Sequence, residues 1–285
     1  MSGTSRPKSV STSSSSSTLN VKKSQSSAAV IHEPVQFKFN LDSATAHVEE
    51  IYTSQVITDL GDSNWKVRLA AMESVQSKVE GLDKETAVSE AHFKFLGNKP
   101  GFKDSNFQVI SKLLTVLQYI SENWSSFNKA SAAIVSNGLV EKLGDIKQKK
   151  PSSDCLMSFA EKVSISFVFS QSLDAIKNQK SPKIQADQIK WLQTALSEFG
   201  VRGVNTRELI ETLKVGLSSS NAGVRTSAIA TLGTLRLLAG PDVRTLLQDV
   251  SSHLLSAIDA EFAKISDQKA PAPTRIQKVV FLNSL

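Results

Sequence analysis

The sequence predicts an all-α solenoid, a serial stack of helical hairpins, and three observations carry that reading. First, one short pattern recurs. Leu60-Gly61-Asp62-Ser63-Asn64-Trp65-Lys66-Val67-Arg68-Leu69-Ala70-Ala71 reads as helix end, polar turn and helix start, because Asp62 and Asn64 are turn and cap formers. Asp104-Ser105-Asn106-Phe107-Gln108-Val109 repeats it 42 residues later, and Gly144-Asp145 repeats Gly61-Asp62 at 83. Asn221-Ala222-Gly223-Val224-Arg225 repeats Asn64 to Arg68 at 157, and a fainter copy, Ser181-Pro182-Lys183-Ile184, places Ile184 40 residues before Val224. Second, apolar residues recur at helical spacing, as Val67, Ala70, Ala71 and Val75 do on one face. Third, glycines and prolines fall mainly between the helical segments. A period near 40 residues, with a helix-turn-helix in each copy, is the pattern of HEAT or armadillo repeats.

Taken in order, residues 1–35 are rich in Ser and Thr and poor in large apolar side chains, so they form a disordered basic linker that buries too little to offset ordering. Val35-Gln36-Phe37-Lys38-Phe39 alternates like a strand but has no sheet to join, and is expected to pack as an extended segment on the first repeat. Helices are predicted over about 44–59 and 64–80, with a helical turn or two in 88–98 before Gly97 to Gly101 breaks the chain. Helices then run over about 106–120 and 125–138, where Asn137-Gly138 is the expected C-cap. A third pair is placed at about 139–143 and 152–166 around a basic turn, Asp145 to Pro151. Further helices follow at 167–178, at 182–199 with Pro182 in the first position, and at 205–217, 221–239 and 242–265. The repeat domain spans 36–270, and Ala270-Pro271-Ala272-Pro273 precedes a last segment, 271–285, that starts another helix or a linker.

Composition narrows the function. With 40% apolar residues the 285-residue chain has ample material for a core, and it holds no apolar run long enough to span a membrane. Its N-terminus lacks the apolar core of a secretory signal, and the single Cys155 excludes an internal disulfide and points to a reducing compartment. The histidines His32, His47, His92 and His253 are scattered, so no zinc spacing exists; no nucleotide loop or nucleophile elbow is present either. No enzyme and no cofactor is expected. The net charge of +6, half of it in residues 1–35, attracts an anionic partner without choosing among nucleic acid, acidic lipid and acidic protein.

Stacked hairpins set equivalent turns along one edge. There, Trp65 and Lys66, then Lys103 and Phe107, then Lys147, Lys149 and Lys150, then Lys183 form a row of aromatic and basic groups suited to an acidic protein face. Trp65 alone of the three tryptophans has a position that argues for exposure; Trp124, Trp191, Phe127, Phe159, Phe167, Phe169 and Phe199 belong to the core. Val67, Val109, Ile184 and Val224 are assigned to the core between helices. Arg68 and Arg225 are assigned to ties between repeats through the turn carboxylates Asp62, Asp104 and Asp145. Nucleic acid ranks below protein, since the lysines occur singly rather than as a dense phosphate-tracking stripe.

The ordered set Leu60 to Val75, Pro100 to Val109, Gly138 to Asp145 and Asn221 to Ala228 resembles the repeat signatures of a TOG domain, the fourth of the multi-TOG microtubule polymerases. The resemblance covers about residues 40–265 and implies a paddle of six HEAT repeats that binds the αβ-tubulin heterodimer through its turns. By position, it makes Trp65 a wedge against tubulin with Lys66 beside it, and sets Lys103, Asn106 and Phe107 at the second turn. Lys147, Lys183 and Asn221 fall at the third, fourth and fifth turns. It further implies a monomeric domain working beside neighbouring TOG domains on microtubules, in the cytoplasm and at the spindle, centrosome or plus ends. Two departures stand out: Ser220-Asn221-Ala222-Gly223 carries no basic side chain, and Pro151 interrupts the third repeat. Three readings follow: tubulin recognition, a scaffold domain binding another protein, and a helical-repeat nucleic-acid binder.

Overall fold

Asparagine starts much of this fold. In the computed structural model, which describes residues 34–278, Asn side chains accept backbone N–H bonds at the first turns of α1 (Leu41–Glu49), α3 (Trp65–Gly81), α5 (Phe107–Asn123), α6 (Lys129–Lys142), α10 (Thr206–Leu217) and α11 (Ala222–Ala239). Each bond satisfies one of the amides that a helix start leaves unpaired. The remaining helices are α2 (Ser54–Asp59), α4 (Ser89–Leu96), α7 (Lys149–Val163), α8 (Ile165–Lys177), α9 (Pro182–Phe199) and α12 (Ser252–Ala263). No strand occurs among the described residues.

The helices pair as α2/α3, α4/α5, α6/α7, α8/α9 and α10/α11, and a 3-10 segment, Pro241–Leu247, precedes α12 as a sixth pair. One layer runs α1, α4, α6, α8, α10, and the other runs α3, α5, α7 and then α9, α11, α12. Contact thins between α7 and α9. The apolar stripes explain the stack: on α5, Val109, Ile110, Leu113, Leu114, Val116, Leu117 and Ile120 are all buried, a band wide enough to face both its hairpin partner and the next repeat. Buried polar contacts carry the same period. Ser89 meets Ser131, 42 residues on, and Ser121 meets Ser158, 37 residues on. Thr231 donates to the Ile189 carbonyl across 42 residues.

Several expected boundaries move. The single helix at 44–59 is two, because Tyr52 turns into the core and Thr53 caps α2. Asn137-Gly138 lies inside α6 rather than ending it; the glycine is there because a Cβ would overlap the Phe102 ring. Residues 139–143 therefore complete α6 instead of opening a third pair, and α7 begins at Lys149 with Pro151 in its first turn, where a missing N–H costs nothing. The helix expected at 242–265 divides into the 3-10 segment and α12. Ala70 is exposed, and the buried face of α3 is Ala71, Met72, Val75 and Val79. Residues 182–199 form α9 as expected.

Extended segments flank the stack. Phe39 packs on His47 of α1, and the Lys38 and Phe39 amides donate to the Glu90 carboxylate of α4 at 2.6 and 3.0 Å. At the other end, 271–278 is an extended strap, not a helix. The Thr274 and Arg275 amides donate to the Glu198 carbonyl, and Arg275 bridges Glu161 of α7 (2.8 Å) and Glu198 of α9 (2.6 Å). The strap thus joins the two helices where direct packing thins. The expected linker at 1–33 and the rest of the last segment, 279–285, lie outside the described residues.

Candidate partner-docking edge

One local device builds all five hairpin turns. In each, an oxygen-bearing side chain accepts the backbone N–H of the residue two positions on, which in four of the five turns is the cap of the second helix. Asp62 accepts from Asn64 (2.6 Å), Asp104 from Asn106 (2.8 Å) and Asp145 from Lys147 (2.8 Å). Gln179 accepts from Ser181 (2.9 Å) and Ser219 from Asn221 (3.2 Å). Such side-chain turns fix the backbone locally, so the residues that follow are presented in a defined direction.

At the first turn, Trp65 is the first residue of α3 and is half-buried, with the Lys66 ammonium 5.9 Å from its ring centre. Arg68 reaches across to the second turn: its guanidinium meets Asp104 in a two-pronged pair at 2.6 and 2.8 Å, and donates to the Asp62 and Ser63 carbonyls. The Asp104 side chain is 2% exposed. Burial alone would raise its pKa, but the Arg68 and Asn106 hydrogen bonds outweigh that and hold it below the usual carboxylate range.

At the second and third turns, Phe107 is exposed, and Lys147 lies over its ring at 3.7 Å. This cation–π contact links the two turns. Gln148, buried, donates to the Phe107 carbonyl and to Ser111. Lys103 is exposed, and Asn106 and Asn221 both spend their side-chain oxygens as helix caps. Lys149 and Lys150 are paired, with Asp187 at 2.7 Å and Asp154 at 2.6 Å respectively. Lys183 stands exposed at the start of α9.

The residues assigned to the core divide. Val109 and Val224 are buried, while Val67 and Ile184 are half-buried. Ile184 still fixes the third turn, because a Cβ on Gly144 would fall 2.5 Å from it. Arg225 is not tied to a turn Asp among the described residues; it donates to the Ser219 and Ser220 carbonyls, at 2.8 Å each, and closes its own turn. These two bonds match those of Arg68 to the Asp62 and Ser63 carbonyls; what Arg225 lacks is the counterpart of Asp104 on the following turn. Trp124, Trp191 and the five core phenylalanines are buried. Sequence reasoning passed over Ile146, which is 90% exposed in the middle of the basic turn.

No catalytic arrangement accompanies these turns. Cys155 is buried, which pushes its thiol pKa up and keeps it unreactive. No group of three or more His, Cys, Asp or Glu among the described residues could hold a metal ion. No helix among them is long and apolar enough to cross a membrane. A cavity of about 570 Å³ lies under the strap, lined by Ser164, Phe199 and Arg202, at the ends of α7 and α9 remote from the turns.

Fold and edge together define a helical-repeat docking module, with protruding side chains on five rigid turns. The profile of the XMAP215/Dis1/CLASP TOG-domain family matches residues 56–262, and the chain belongs to that family. It is 34% identical over 229 residues to Protein mini spindles of Drosophila melanogaster, covering 80% of this chain and 11% of that protein. It is 35% identical over 233 residues to Centrosomal protein 224 of Dictyostelium discoideum, covering 79% and 12%. The chain therefore spans about a tenth of the length of these relatives. The solved structure of Drosophila melanogaster Mini spindles TOG3 superposes with a TM-score of 0.71 at 33% identity, covering 79% of this chain and 99% of that one.

Proposed function

We propose that this chain is a non-catalytic module that docks the αβ-tubulin heterodimer on its turn edge, within a longer microtubule polymerase that acts at growing ends and the spindle. The observation that carries this reading is the pairing of aromatics with lysines on adjacent turns, Trp65 with Lys66 and Phe107 with Lys147, on an edge that also carries the exposed Lys103 and Lys183. Aromatic rings bring contact area at small entropic cost, and lysines steer the approach to an acidic face. Lys103 and Lys183 extend the positive row, while Asn106 and Asn221 offer their remaining amide N–H groups beside the helix starts. Relatives and solved family members are named for spindles, centrosomes and tubulin binding, and the TOG3 likeness supports a later place in an array of such domains. Neighbouring domains would then add to a modest single-domain affinity through linkage. The domain proper is set at 36–270.

The test is size-exclusion or sedimentation of the full chain with free αβ-tubulin at low and moderate salt, beside Trp65→Ala. Co-migration that is lost in the folded variant supports the reading. No co-migration at low salt, at tens of micromolar protein, would sink it and leave a scaffold domain for another protein.

A further inference from the structure

We infer that Ile146 is the apolar anchor of the turn edge, a side chain that inserts into an apolar depression on the acidic face of tubulin; this rests on the tubulin-docking reading above. Ile146 is 90% exposed, the highest value among the large apolar side chains described. The others are quieter: Phe37 and Phe107 lie under the ammonium groups of Lys94 and Lys147, and Leu41 and Val215 are each 37% exposed. Ile276 is 72% exposed but sits on the strap, away from the turns.

What separates Ile146 from an incidental surface residue is the turn that holds it. Asp145 accepts the Lys147 amide on its side chain, and its carbonyl accepts from Gln148 (3.0 Å) and Lys149 (2.7 Å). Each side chain around Ile146 is engaged within the protein: Lys147 on Phe107, Gln148 with the Phe107 carbonyl and Ser111, Lys149 with Asp187 and Lys150 with Asp154. Lys147 and Lys150 are exposed too, but each has a partner within the protein, and Ile146 is the large apolar side chain that this turn leaves in water. A rigid, β-branched side chain in a fixed turn loses little freedom on binding, so nearly all of its apolar area counts toward affinity. The ring of lysines around it fits an apolar depression rimmed by carboxylates, the arrangement of a buried anchor within a polar rim.

The experiment measures binding of the full chain to αβ-tubulin across a salt series for the wild type and for Ile146→Ala, Ile146→Leu, Lys147→Ala and Trp65→Ala. Ile146→Ala is expected to weaken binding about tenfold, mainly through faster dissociation, with the salt dependence unchanged. Ile146→Leu keeps most of the affinity, and Lys147→Ala flattens the salt dependence. If the wild type binds and Trp65→Ala does not, yet Ile146→Ala binds within twofold of wild type, the anchor assignment is overturned while tubulin docking stands. If the wild type does not bind, the docking reading fails and the anchor fails with it.

Discussion

The first three turns and the last two share a skeleton and differ in what they show to solvent. All five use a side-chain oxygen to hold the turn backbone, and α3, α5 and α11 each start from a capping Asn. Turns one to three add Trp65, Phe107, Ile146 and the cations beside them; turns four and five add Lys183 and a Ser-Asn-Ala-Gly stretch. Turn-to-turn contacts differ likewise, since Arg68 grips the next repeat and Arg225 grips only itself. The lesson is that scaffold and recognition occupy different positions of one repeat, so the row can lose its sticky residues without losing its fold.

The largest effect that could break this comparison is on binding. Trp65→Ala at the first turn is expected to lower tubulin affinity at least tenfold, whereas Lys183→Ala at the fourth is expected to change it about twofold. Equal losses, read by sedimentation at one salt concentration, would show that the partner engages both halves of the edge alike.

The two arginines offer the next test, on stability. Arg68→Ala strands the Asp104 carboxylate in a buried site and is expected to cost about 3 kcal/mol in urea unfolding. Arg225→Ala removes two bonds to carbonyls and is expected to cost about 1 kcal/mol. Matching losses would mean that the cross-repeat tie contributes nothing special. Asp104→Asn, which keeps the shape but not the charge, should fall between the two.

The legible and illegible parts of the chain divide along the same line. Asp62, Asn64, Asp104, Asn106 and Asn221 act within a few residues of themselves, so their turn and cap roles could be read from local pattern. The division of 44–59 was also signalled, by Thr53 as a cap, but the apolar spacing through Ile51 and Tyr52 masked it. Gly138 misled because a glycine beside Asn reads as a helix stop, whereas its cause is Phe102 on another segment. The Arg275 bridge joins residues 77 and 114 positions apart, and no local pattern announces it. Ile146 was hidden differently: its neighbours' charges defined the turn, and only the fold shows that every one of those charges is spoken for.

Acid offers another effect that separates the halves. His92 sits buried among His47, Tyr52 and Trp124 at the first two repeats, and burial, opposed in part by the Val88 carbonyl and helped by His47, lowers its pKa to about 4. The unfolded chain binds this proton near pH 6.5, so between pH 6.5 and 4 it holds more protons than the folded protein. Stability is therefore full above that window and falls through it, by about 3 kcal/mol. Melting curves should show this slope in the wild type and a flatter one in His92→Phe, with amide exchange loosening first in α1, α4 and α5. A later loss, below about pH 4, belongs to Asp104, whose lowered pKa contributes stability only above that range. Uniform loosening across all repeats would contradict a local origin in the first half.

The smallest expected effect lies at the junction of the halves. Arg275 is 35% exposed, and its bridges to Glu161 and Glu198 are open to solvent screening, so Arg275→Ala is expected to cost about 1 kcal/mol or less. Its signature is placement rather than size. Because α7 and α9 pack thinly, losing the bridge should raise amide exchange at the ends of those two helices and leave α3 and α5 unchanged. Added salt should reproduce part of the loss in the wild type and less in the variant, where Lys278 still pairs with Glu161 at 2.7 Å. If exchange rose equally in α5 and α11, the two runs of helices would be one cooperative unit, and the contrast between their turns would be a matter of surface chemistry alone.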